Sequence, residues 1–228
     1  MHLYAITNRH LLAASEPARR AALIQLAGTW AKNNIDYIQI REKDLTSSDL
    51  YPLAAEIVSA VREQNTHTKI LLNGPSQIAL EAGADGIHLP AGAPADAAEE
   101  ARCLYARSGK EAILSHACHS VYEVLKTKEE SQQSAHATAA NTLILYAPVF
   151  EKIIKGEPTQ QKLPGLGLES LKQAALAAKP IPVFALGGVT KENAAICIQN
   201  GAAGIAAIRL FLESEWLNFV HHSINLDL

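Results

Sequence analysis

Cysteine is scarce in this sequence. Three residues, Cys103, Cys118 and Cys197, stand far apart in a chain of 228, too few and too scattered for a disulfide framework or a zinc cage. A basic excess is missing too: 20 lysines and arginines face 23 aspartates and glutamates, a net charge of −3. A general nucleic-acid binder needs clustered cations against the phosphate backbone, so that class is excluded; a local basic pocket for a small phosphorylated ligand is not. No uncharged apolar run reaches the ~18 residues that span a bilayer. The opening Met1-His2-Leu3-Tyr4-Ala5-Ile6-Thr7 has no basic flank, and its apolar stretch is too short for a secretion signal. Aromatic residues are only 5%, yet hydrophobic residues reach 48% and charged ones 19%, a balance that builds a sizeable core and excludes disorder. A cytoplasmic protein with reduced thiols is the expectation.

What the sequence does have is alternation. Short apolar, β-rich runs fall at Leu3–Thr7, Tyr37–Arg41, Ile70–Asn73, Gly86–Leu89, Ala112–Ser115, Leu143–Tyr146, Val183–Leu186 and Gly204–Ala207. Helical patterns follow them at Ala13–Asn33, Ser48–Gln64, Ser76–Glu81, Ala95–Ser108, Val121–Glu130, Leu168–Ala178, Lys191–Gln199 and Glu213–Ile224. Eight such units at about 28 residues each fit a single (β/α)₈ TIM barrel spanning residues 1–228. A doubly wound sheet fits less well, because the first strand runs into Thr7-Asn8-Arg9-His10 without a glycine-rich turn. A weak internal repeat supports the barrel: Ala82-Gly83-Ala84-Asp85-Gly86-Ile87 resembles Asn200-Gly201-Ala202-Ala203-Gly204-Ile205, half a chain later. The longest connection, Ala147 to Pro164, follows the sixth strand and reads as an active-site loop. The small, polar stretch Ser131–Ala140 reads as another loop.

In a barrel, chemistry belongs at the C-terminal ends of the strands. Gln39, Arg41 and Lys43 share one parity there, and two cations and an amide facing one way suit a phosphate or carboxylate; a salt bridge inside the barrel, with Glu42 or another acid, is the plainer reading. Gly187-Gly188 ends the seventh barrel strand. With the residues after the eighth strand, where Ile208-Arg209-Leu210-Phe211 can open a short helix, it suits a phosphate held by backbone N–H groups. Ser120-Val121-Tyr122-Glu123 reads as a capping box, which puts His119 directly before a helix N-terminus, where the dipole favours the neutral imidazole; a surface ring is the plainer reading. His116, Cys118 and His119 do not make a metal set, since a fourth ligand is missing and two of them are adjacent.

These segments, together with Tyr4-Ala5-Ile6-Thr7, Leu72-Asn73, Gly83 through Leu89, Ala147-Pro148-Val149-Phe150, Pro182 through Gly188 and Gly201 through Ala207, resemble the thiamine phosphate synthase/TenI family over nearly the whole chain. The resemblance implies a barrel of thiamine biosynthesis acting on a phosphorylated thiazole, and a homodimer is compatible with it. In the synthase branch, which joins a pyrimidine diphosphate to a thiazole phosphate with Mg²⁺, carboxylates are expected where this chain has Gly74 and Ala93, and a serine where it has Ala117. The TenI branch fits better in Leu89-Pro90-Ala91-Gly92 and Val149-Phe150-Glu151. It includes a thiazole tautomerase, an isomerase whose proton-transferring histidine corresponds to His119.

The resemblance thus implies His119 as the catalytic residue, with no metal and no cofactor. It implies substrate binding by Gln39, Arg41, Lys43, Asn73, Lys152, Lys155, Gly187, Gly188, Ala207 and Ile208. Two alternatives stay open. One is a synthase with rearranged Mg²⁺ ligands drawn from Asp44, Glu42 or Glu151; the other is a thiazole phosphate-binding regulator without catalysis.

Overall fold

The chain closes a parallel barrel in a computed structural model that describes residues 1–64, 67–134, 138, 141–153 and 162–212, with backbone alone at positions 152, 153, 162 and 163. In chain order the elements are β1 (His2–Ile6), α1 (Glu16–Lys32), β2 (Tyr37–Ile40), α2 (Ser47–Gln64), β3 (Lys69–Leu72), α3 (Ser76–Glu81), β4 (Gly86–Leu89), α4 (Ala97–Arg107), β5 (Ile113–Cys118), α5 (Val121–Gln133), β6 (Thr142–Tyr146), β7 (Lys152–Ile153), β8 (Lys162–Leu163), α6 (Leu168–Ala178), β9 (Val183–Leu186), α7 (Lys191–Gln199) and β10 (Gly204–Ala207). Around the barrel the order is β1-β10-β9-β6-β5-β4-β3-β2, with β7 and β8 a separate two-stranded ribbon. Closure is made by parallel pairing of β1 with β10, from His2 opposite Gly204 to Ala5 opposite Ala207. This is the expected (β/α)₈ architecture. No helix among the described residues is long and apolar enough to cross a membrane.

Alternation along each strand splits the apolar residues into two sets. Tyr4, Ile6, Leu71, Leu143, Leu145, Phe184 and Ala206 fill the barrel interior. Their neighbours in sequence, among them Leu3, Ala5, Ile70, Leu72, Ile144 and Ile205, face outward into the layer shared with the helices. In α2 the buried residues Leu50, Leu53, Ala54, Ile57, Val58 and Val61 recur at helical spacing, so one apolar stripe meets the barrel. Trp30 of α1 is fully buried, and its indole N–H donates to the Phe211 carbonyl at 3.0 Å.

The repeated segments have matching roles. Gly83 and Gly201 follow α3 and α7 with φ of +81° and +90°, the left-handed conformation that ends a helix. Gly86 and Gly204 open β4 and β10 where a Cβ would lie 1.8 Å from the Ile113 carbonyl oxygen and 2.2 Å from that of His2. The repeat differs at its fourth position. Asp85 accepts from the Ile70 amide and from Arg62, whereas the second copy has Ala203.

Three expectations are corrected. β5 continues through His116 and Ala117 to Cys118, because β6 offers ladder partners as far as Tyr146. His116 therefore lies within a strand, on its outward side, and not at the mouth. Residues 208–212 form bends and a turn instead of opening a helix, with the Leu212 amide on the Arg209 carbonyl. In the stretch expected as a loop from Ser131, α5 runs on to Gln133; the helix expected at 213–224 lies outside the described residues.

Polar groups inside the barrel are bonded in series. Gln39 Nε2 donates to the Tyr4 hydroxyl at 3.0 Å, which lies 3.0 Å from Ser115 Oγ, which lies 2.7 Å from His88 Nδ1. Behind the barrel wall, His116 Nε2 and Arg102 Nε are buried without a hydrogen-bond partner among the described residues. Burial, with lesser help from His116, Arg41 and Lys43, pushes the His88 imidazole down to about 3. Burial, then Arg102, pushes that of His116 down to about 4.

Both shifts have one sign. Below about pH 6.5 the unfolded imidazoles bind protons that the folded ones refuse, so stability falls with pH from there toward the folded values. Each group contributes a slope of up to about 1.4 kcal/mol per pH unit. Thermal unfolding followed from pH 7 to pH 4.5 is expected to show a falling midpoint. His116→Gln should flatten the fall, and an unchanged profile would exclude His116 as a source.

Candidate active site

The C-terminal ends of the strands carry the polar residues. Thr7, just past β1, is buried and holds two elements together: its hydroxyl donates to Glu42 at 2.6 Å and accepts from the Arg41 amide at 2.9 Å. Past β2 the sequence Arg41-Glu42-Lys43-Asp44 alternates in sign, and the structure sorts it. Glu42 is 4% exposed and Arg9, on the loop after β1, is 2% exposed. The Arg9 guanidinium donates to Glu42 at 3.0 Å and to both oxygens of Asp44 at 2.7 and 2.6 Å. Its Nε reaches Glu16 at 2.8 Å. Those partners hold the Asp44 carboxyl well below the usual carboxylate range, the hydrogen bonds from Arg9 first. The half-buried Arg41 and the exposed Lys43 have no ion-pair partner among the described residues. The salt bridge to Glu42 considered from sequence exists, but its cation is Arg9.

Gln39 lies one layer deeper. It is 1% exposed and its amide is engaged by Tyr4, so it belongs to the barrel's interior chain and not to the open mouth. Asn73, after β3, is half-buried, and its side-chain amide has no partner among the described residues.

His119 follows β5 as expected. Ser120 is the N-cap of α5, with its hydroxyl accepting from the Glu123 amide at 3.2 Å, and the Glu123 carboxylate accepts from the His119 amide. The imidazole is exposed, and its Nδ1 lies 2.5 Å from the Ala147 carbonyl oxygen, past β6. A carbonyl can only accept, so Nδ1 carries the proton; in the neutral ring Nε2 is the free base.

Gly187 and Gly188, with φ of +93° and +66°, lie against the loop after β6. A Cβ on Gly187 would come 2.7 Å from Pro148 Cβ, and one on Gly188 2.7 Å from Phe150 Cβ. The pair is thus required by packing, and replacing Gly188 by valine would strain the fold itself. The Gly188 amide has no acceptor among the described residues. Ala207 ends β10, and Ile208 packs against the interior cluster at the same edge. Lys152 opens the ribbon strand β7, and Lys155 lies outside the described residues.

The structure brings Arg41, Lys43, Asn73, His119 and the Gly187–Ile208 edge to one end of the barrel. Sequence reasoning missed Arg9 and Thr7; the available signal was an arginine directly after the first strand with two acids, Glu42 and Asp44, after the second.

Such a mouth defines a class: the (β/α)₈ barrels that handle small anionic molecules at the C-terminal ends of their strands. The family profile described as thiamine monophosphate synthase matches residues 3–211, and the chain belongs to that family. The putative thiamine-phosphate synthase 2 of Aquifex aeolicus is 32% identical over 92% of this chain and 97% of its own length. The thiamine-phosphate synthase of Caldanaerobacter subterraneus is 30% identical over 90% of this chain and 84% of its own. Among solved structures, the thiamine phosphate pyrophosphorylase from Pyrococcus furiosus superposes with a TM-score of 0.73 over 98% of this chain and 94% of its own, at 21% identity, which speaks for the fold alone.

The unpaired state of the two mouth cations gives a direct test. Arg41→Met and Lys43→Met are each expected to lower affinity for inorganic phosphate about tenfold, the scale of one charge-assisted contact, with little change in melting temperature. Titration calorimetry and thermal unfolding on the same samples check both parts.

Proposed function

We propose that the protein is an enzyme of thiamine biosynthesis that takes a phosphorylated thiazole at the barrel mouth. Family membership and the free cations of Arg41 and Lys43 support this reading. The ligand phosphate would be shared between the backbone donors at Gly187, Gly188, Ala207 and Ile208 and the cations of Arg41 and Lys43, which would also face a carboxylate or developing charge.

For the reaction, the comparisons favour joining the thiazole phosphate to a pyrimidine diphosphate, since the relatives are named thiamine-phosphate synthases. That reaction calls for Mg²⁺ and carboxylates to hold it. The residues of this mouth do not fit such an ion. Glu42 and Asp44 are taken up by Arg9 and Thr7, and among the described residues no three His, Cys, Asp or Glu side chains converge.

Proton transfer on the thiazole ring is what the geometry supports best, and one observation carries it: His119 is anchored through Nδ1 with Nε2 open, the arrangement of a base that takes a proton from one ring position and returns it to another. Arg41 and Lys43 would stabilise charge that develops while the proton is on the imidazole.

Two assays decide. One follows isomerisation of the thiazole carboxylate phosphate; the other follows thiamine phosphate formed from pyrimidine diphosphate, thiazole phosphate and Mg²⁺. Isomerisation that survives EDTA and falls about 10²-fold or more in His119→Asn is expected, since asparagine can still donate to the Ala147 carbonyl but has no base. Mg²⁺-dependent thiamine phosphate formation, unaffected by His119→Asn, would establish the synthase reaction in its place. Tight thiazole phosphate binding without either turnover would make the protein a regulator.

A further inference from the structure

We propose that Arg9 is a positioning residue, whose guanidinium captures Glu42 and Asp44 so that Arg41 and Lys43, interleaved with them in sequence, stay unpaired and turned to the ligand. This rests on the reading of Arg41 and Lys43 as ligand-facing cations. Residues 41–44 are locally neutral, two cations and two acids in alternation. In a short segment of that kind the nearest partners for each cation are its own neighbours. The structure prevents that pairing by placing a third cation behind the run. Glu42 accepts from Thr7 at 2.6 Å, from the Arg9 amide at 3.2 Å and from Arg9 Nη1 at 3.0 Å. Asp44 is bound in a two-pronged contact by Nη1 and Nη2. Glu16, held also by Arg20, anchors Nε and fixes the guanidinium plane to α1.

Thr7 extends the device to the backbone, because the hydroxyl that donates to Glu42 also accepts from the Arg41 amide. The loop after β1 therefore sets the place of Arg41 as well as its freedom from an internal partner. Among the described donors of this cluster, Arg9 is the one whose guanidinium fork reaches Glu16, Glu42 and Asp44 at once.

The test is a charge-rescue cycle in the full chain, read by titration calorimetry with thiazole phosphate and with inorganic phosphate. Arg9→Gln leaves Glu42 uncompensated, and it is expected to weaken binding of both probes about tenfold as the acids recruit Arg41 and Lys43. Arg9→Gln combined with Glu42→Gln removes that buried charge and should restore affinity to within about threefold of wild type. Glu42→Gln alone should also stay within that range, since Arg9 keeps Asp44 and Glu16.

A residue serving only to hold the fold would give a lower melting temperature without rescue of affinity. Should Arg9→Gln fail to fold, the double variant and Glu42→Gln still decide, because weak binding by either folded protein overturns the proposal. Unchanged affinity in folded Arg9→Gln overturns it too. If Arg41→Met and Lys43→Met bind both probes like wild type, the failure lies instead in the reading of those cations as ligand-facing.

Discussion

An eight-stranded parallel barrel has room inside for few side chains at each level, and every strand must send alternate residues in and out. This constraint governs the molecule. It assigns Tyr4, Leu71, Leu145 and Phe184 to the interior and their neighbours to the helix layer. It also explains why the interior polar groups appear as a bonded series from Gln39 to His88: a buried polar atom without a hydrogen-bond partner costs free energy, and the partners on offer lie across the barrel. At the mouth, where β2 has ended and residues 43–44 turn, Arg9 gathers the acids of 41–44 and leaves the cations apart from them.

Much of this was legible in the sequence. The eight barrel strands and seven of the eight helices could be placed because their apolar runs have the right lengths and are bounded by turn or cap residues; Gly83-Ala84-Asp85-Gly86 and Ser120-Val121-Tyr122-Glu123 are examples. The position of His119 before its cap followed from local rules alone, whereas the strand parity expected for Arg41 and Lys43 does not reach them, because β2 ends at Ile40 and the chain turns at 43–44.

What escaped was non-local. Nothing near Arg9 in sequence shows that it will be buried against residues more than thirty positions away, and nothing near Gln39 shows that Tyr4 will occupy its amide. The end of β5 is non-local in the same way. A strand stops where its neighbour stops offering partners, and that neighbour, β6, lies beyond an intervening helix. The Gly187-Gly188 pair was visible as a turn, but the closeness of Pro148 and Phe150, which makes glycine necessary there, belongs to packing.

The interior chain has a direction. The Gln39 amide can only give a proton to the Tyr4 oxygen, so Tyr4, kept un-ionised by burial, points its own hydrogen at Ser115. Ser115 must then point its hydrogen at His88 Nδ1, which receives it on a lone pair. One amide thus selects the tautomer of an imidazole three links away, with the hydrogen on Nε2. His119 is anchored in the opposite sense, hydrogen on Nδ1 and lone pair on Nε2. In their neutral forms the two rings are complementary halves, one whose unanchored nitrogen can give a hydrogen and one whose unanchored nitrogen can take it.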